Sequence, residues 1–153
     1  MAAISLNSST QDDLPIISQW SKADIDPAHR TVPPEWWLTG NDCLLCFNVW
    51  DDQGIVFYAR LEADRELVRV HIQFAPEEVV SRSRVAKALI NSFPSAVIVG
   101  KQNGLKGIVF ESKNPILAVF MTNLGFWPVE GTDDFVRMFD EDPKVVIPGD
   151  KVA

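Results

Sequence analysis

The chain has 153 residues, 46% of them hydrophobic and 23% charged, the size and composition of one globular, soluble domain with its own core. A formal net charge of −7 argues against binding to a nucleic-acid backbone, which needs a basic surface, but leaves room for a local basic patch. No apolar run reaches the length of a membrane span, and "MAAISLNSSTQDD" lacks the basic start and apolar centre of a secretion signal.

In chain order, "AISLNSS" alternates and predicts a first strand. "TQDDLPIISQW" places acidic residues before an apolar stripe, as a helix start should, with Leu14, Ile17 and Trp20 on the buried face. "SKADIDPAHRTVPPEWWLTGND" holds three of the ten prolines and reads as an irregular connection, with a short helix near Glu35 to Leu38. If exposed, Trp36 and Trp37 would form a partner surface; if buried, they would form a lid on the core. The lid is expected, because cores commonly absorb aromatics.

Cys43 and Cys46 lie in an apolar run that looks like a strand, not at the helix start where a redox pair belongs. Residues three apart on a regular strand point to opposite faces, so two ordinary buried thiols are expected. A zinc site would need two more ligands, and the histidines are His29 and His71; no metal site is expected.

"CLLCFNVW", "DDQG" and "IVFYARLEA" read as strand, turn and strand. "ELVRVHIQF" alternates, with Val68, Val70, Ile72 and Phe74 on one side and Leu67, Arg69, His71 and Gln73 on the other. Three antiparallel strands are thus expected in succession. "PEEVVSRSRVAKALINSF" reads as a helix with Pro76 near its start, and Pro94 should break or kink it. "SAVIVGKQNG" is ambiguous between strand and helix, and "LKGIVFES" is a strand. "NPILAVFMTNLGF" is a helix marked at both ends, by Asn114 and Pro115 at its start and Gly125 at its exit. A hairpin from "FWPVE" and "FVRMF" closes residues 1–140, and residues 141–153 read as a tail.

This order resembles the Gcn5-related N-acetyltransferase (GNAT) superfamily over roughly residues 3 to 140. "SSTQDDLPIISQW" looks like that family's opening, and "GLKGIVFESKNPILAVFMTNLGF" like its strand, asparagine, helix and Gly-Phe ending. The resemblance implies an α+β single domain, a mixed and mostly antiparallel sheet flanked by helices, with the fourth and fifth strands splayed. It implies acetyl-CoA in that wedge. Ile72 and Phe74 would face the thioester and pantetheine, Arg82, Arg84 and Ala86 would stand at the phosphate loop, and Asn114 would lie near the pantetheine arm. As a bare residue type, Asn114 is equally a helix cap.

Two departures oppose a working enzyme. The family's phosphate loop carries a glycine where "SRSRVA" has Arg84, and glycine there lets backbone amides wrap the pyrophosphate. If the helix begins at Pro76, those amides are also consumed inside it, and Glu77 and Glu78 repel the ligand. The acid tyrosine of the last helix is replaced by Met121, which cannot donate a proton. His71 and Glu111 are left as weak candidate general bases; His71 reads more readily as an edge or solvent-facing strand residue, and Glu111 as a solvated strand residue. The last helix also resembles acetyltransferase-like internal virion proteins of short-tailed phages. The expectation is a GNAT-like protein that binds acetyl-CoA weakly or not at all and serves as a structural or protein-interaction component, cytoplasmic or virion-associated. Its partner would be another protein or a second copy, not nucleic acid or membrane. The alternative is an active acetyl-CoA-dependent N-acetyltransferase.

Overall fold

The computed structural model describes residues 4–24 and 30–140; the tail at 141–153 and His29 lie outside the described residues. The alternating segments form strands β1 (Ser5–Ser8), β2 (Cys43–Asp51), β3 (Gly54–Asp64), β4 (Leu67–Phe74), β5 (Gly107–Glu111), β6 (Trp127–Pro128) and β7 (Asp134–Met138). They make one sheet in the order β1-β2-β3-β4-β5-β7-β6. Helices α1 (Leu14–Lys22), α2 (Arg82–Gln102) and α3 (Pro115–Asn123) join a 3-10 helix at Pro34–Leu38. The expected fold class, the succession β2-β3-β4 and the closing hairpin are all present.

The β4–β5 pair is parallel, as the crossover through α2 requires. Its register runs from Leu67 opposite Gly107 to Val70 opposite Phe110 and stops there. β4 continues to Phe74 on its β3 side, where Phe74 stands opposite Phe57. The two strands therefore part after Val70 and Phe110.

The sheet has unlike faces. Cross-strand register puts Val49, Phe57, Leu61, Val68 and Phe110 on one side, under α2. α3 ends on this side too: Arg137 donates to the Leu124 carbonyl (3.1 Å) and lies over the Phe93 ring of α2. The other side carries Asn48, Tyr58, Arg60, His71 and Gln73 beneath α1 and the 3-10 helix. Trp37 is buried and Trp36 half-buried, so the lid reading of the tryptophans holds.

Several local expectations are corrected. α2 starts at Arg82, not Pro76. Pro76 heads a separate turn whose carbonyl takes the Val79 and Val80 amides, and the Ser81 hydroxyl caps the helix by accepting from the Arg84 amide (3.3 Å). Buried Val80 and half-buried Val85 occupy the positions of a hydrophobic staple across this cap. Pro94 does not end the helix, and "SAVIVGKQ" continues it. Proline strips the Ile90 carbonyl of its donor, but Ile90 is exposed and water can replace it. Gly100 lets α2 lie close to the sheet, since a Cβ there would stand 2.8 Å from the Val68 side chain. The two cysteines also depart from the expected opposite faces. A bulge in β2 sets Cys43 opposite Glu62 and Cys46 opposite Arg60, and those two β3 residues share a face. Both thiols are free, and burial pushes the Cys46 thiol up to about 11.

Candidate active site at the strand splay

Where β5 departs, β4 residues 71–74 lose a strand neighbour on that side, and their backbone groups there need another partner. Ile72 and Phe74 occupy this stretch, half-buried and packed against the core on the α2 side. The Phe74 carbonyl accepts from the Gln73 side chain (3.1 Å). Gln73 is itself 1% exposed, although its alternation set includes the charged Arg69. Its Nε2 also donates to Asp24 just after α1 (3.0 Å), while its Oε1 is buried with no hydrogen-bond partner among the described residues.

Because α2 begins at Arg82, its first amides were not consumed in an earlier turn, contrary to what a start at Pro76 implied. Among the described residues, the Arg82 and Ser83 amides have no hydrogen-bond partner, as first-turn amides do not within a helix. The two arginines are already engaged. Arg82 meets Glu77 (2.9 Å) in an exposed pair. Arg84 donates from Nε and Nη2 to both oxygens of Asp51 (2.7 and 2.8 Å). That bidentate contact holds the Asp51 carboxyl below its ordinary range and the Arg84 guanidinium above its own. Asp51 ends β2, which β3 and β4 separate from β5, so the Arg84 side chain reaches away from the splay. Asp51, Asp52, Gln53, Arg84 and Lys87 line a cavity of about 80 Å³, room for little more than water. Ala86 is half-buried on α2.

Across the opening, Asn114 caps α3, its Oδ1 accepting from the Ile116 (2.9 Å) and Leu117 (3.4 Å) amides. The cap role is therefore filled. Met121 is half-buried and packs against the core.

The two candidate bases differ. Glu111 ends β5 exposed, a solvated strand residue. His71 stands where β5 has departed and is only half-buried, but β3 on one side and the Trp36 ring cover it in part, and its Nε2 is buried. The Trp36 ring meets the imidazole edge-on at 4.9 Å, and Glu62 Oε1 lies 3.3 Å from Nε2 without the alignment of a hydrogen bond. Burial pushes the His71 pKa down, against the pull of Glu62, so the imidazole is neutral at pH 7.

Sequence reasoning missed the buried Arg60 beside it. Arg60 pairs with Glu62 (3.0 Å), lies over the Trp36 ring, and donates from Nη1 to the carbonyls of Trp36 and Thr39. The signal was the alternation of Tyr58, Arg60 and Glu62 against Phe57, Ala59 and Leu61.

The fold as a whole superposes on known structures. The ribosomal-protein-S18-alanine N-acetyltransferase of Escherichia coli superposes with a TM-score of 0.61 at 12% identity, over 92% of this chain and 96% of that one. The chain has the GNAT fold. A GCN5-related N-acetyltransferase from Kribbella flavida gives a TM-score of 0.64 at 13% identity, over 90% of this GNAT-fold chain and 98% of its own. A protein from Salmonella typhimurium assigned as an acetyltransferase, solved with its cofactor acetyl-CoA, gives 0.62 at 16% identity, over 92% and 96%. No family model matches the GNAT-fold chain, and no curated protein matches it by sequence.

Proposed function

We propose that this GNAT-fold protein has an eroded acetyl-CoA site and serves as a non-catalytic structural or protein-interaction component, a phage particle being the setting that its last-helix resemblance suggests. The reading rests chiefly on Arg84. It stands where the family has glycine, and Asp51 holds its guanidinium away from the splay. The surroundings of the α2 start add to this, with Asp51, Asp52, Glu77 and Glu78 outnumbering Arg82, Arg84 and Lys87. A cofactor carrying several phosphate charges is poorly served there. Met121 removes the family's proton donor as a separate step, and neither Glu111 nor the lid-covered His71 replaces it.

The second reading is an active acetyl-CoA-dependent N-acetyltransferase. It is favoured by the β4–β5 opening, by the unpartnered Arg82 and Ser83 amides, and by acetyl-CoA in the Salmonella protein of the same fold. In it, the backbone beside Ile72 and Phe74, the α2 start from Arg82 to Ala86, and Asn114 hold the cofactor.

Isothermal calorimetry with acetyl-CoA separates the two. We expect no saturable heat, and no thermal stabilisation at high ligand. A binder at a hundred times its dissociation constant gains about 2.7 kcal/mol. Saturable binding that is lost in both Arg82→Ala and Asn114→Ala would overturn the non-catalytic reading.

A further inference from the structure

From Asn114 to Val129 the chain carries no charged residue, although the whole carries −7. α3 occupies the centre of this stretch. A helix without a polar face is normally buried, yet no residue of α3 is fully buried. Its inner side is used, with Leu117, Phe120 and Met121 packed against the core. Its outer side leaves Ile116 60% and Val119 64% exposed, one turn apart and flanked by exposed Pro115 and Thr122. α2 also exposes Ile90 and Ile98, but Lys87 and Lys101 stand among them. Among the described helices, only α3 combines an exposed apolar face with no charge at all. Such a face is a candidate interaction site.

We propose that the outer face of α3 is a self-association surface, on which a second copy of this chain docks its own α3 about a two-fold axis. Charge selects this occupant. Two copies each carrying −7 repel over most of their surfaces, whereas at α3 they meet with no like charges opposed and none to desolvate. A basic partner, which the acidic chain would otherwise attract, finds no counter-charge there. Two-fold pairing sets Ile116 and Val119 against the same residues of the second copy, the self-complementarity an isologous interface needs. Short side chains along Pro115, Ile116, Val119 and Thr122 suit helix axes about 8–10 Å apart.

The proposal rests on the protein-interaction reading for its place in function. Its test reads oligomeric state and not cofactor binding, so either can fail alone. Sedimentation of the full chain over a wide concentration range should show a monomer–dimer equilibrium. Val119→Glu should weaken it by more than about tenfold while the urea midpoint, read at dilutions where both proteins are monomeric, stays unchanged, and Ile98→Glu on α2 should leave it intact. Val119→Cys should oxidise to a disulfide-linked dimer, while wild type and Ile98→Cys, treated alike, should not. A wild-type chain monomeric throughout, a dimer that survives both Val119→Glu and Ile116→Glu, or an α3 face engaged only by a different protein would each overturn the proposal.

Discussion

The two faces of the sheet are held by different physics. Under α2, Phe110 stacks on Phe135 (5.1 Å) and meets Phe126 edge-on (5.1 Å), and Val68 touches the helix where Gly100 makes room. This side gains by removing hydrocarbon from water, and many arrangements of apolar side chains would serve. Under α1 and the tryptophan lid, Ile17, Trp20 and Trp37 are buried too, but specific polar contacts are added to them. Tyr58 donates to Asp13 (3.0 Å), Asn48 to Ser9 (3.1 Å) and Gln73 to Asp24 (3.0 Å), while Arg60 ties two carbonyls of the lid segment to β3. Each of these groups has lost water and depends on a few specific partners. The apolar side supplies bulk stability; the polar side fixes where the lid lies.

The largest expected effect tests the apolar side. Phe110→Ala should cost about 3–5 kcal/mol in urea unfolding, because it removes a buried ring and leaves a cavity between Phe126 and Phe135. A loss below about 1 kcal/mol would mean that this side is not the stabilising one. Arg60→Leu comes next, at about 3 kcal/mol, because Glu62 loses its cation and the Trp36 and Thr39 carbonyls lose their donor. Near-ultraviolet circular dichroism should change with it, since Trp36 loses the guanidinium above its ring. An unchanged spectrum would break the comparison by showing the lid to be held without Arg60.

Asn114→Ala should cost about 1 kcal/mol by removing the α3 cap. Asn114→Ser, which keeps a capping oxygen, should recover most of it. The smallest effect is a pH dependence on the polar side. The unfolded chain binds a proton on His71 near the ordinary value of about 6.5, and the folded chain binds it only at lower pH. Between those values the unfolded state holds more protons, so stability is full above about 6.5 and falls as pH is lowered. Urea unfolding from about pH 7.5 down to about 5.5 should show the fall, reduced in His71→Gln. Asp51 and Asp64, kept below the usual carboxylate range by hydrogen bonds from Arg84 and Arg69, stay ionised over that window.

The apolar side was legible from the chain. Alternation in "ELVRVHIQF" places Val68, Val70, Ile72 and Phe74 together, and that is how they lie. The start of α2 was misread because Pro76 and two glutamates make a plausible helix start, while Ser81 in fact caps a helix five residues later. Of the site, Asn114 was legible as a cap. The Arg84–Asp51 contact was not, because nothing local links residues 33 apart. The Cys43–Cys46 spacing misled because a bulge changes which residues share a face.

The sequence by itself determined the succession of elements, the apolar half of the core and the uncharged run around α3. These depend on periodicity and composition within short segments. Only the tertiary structure decided that Arg84 turns toward Asp51, that Gln73 is buried beneath α1, and that Trp36 closes over His71. Each of these needs a partner from a distant segment, and a polar side chain shows whether it is buried or solvated only once that partner is in place.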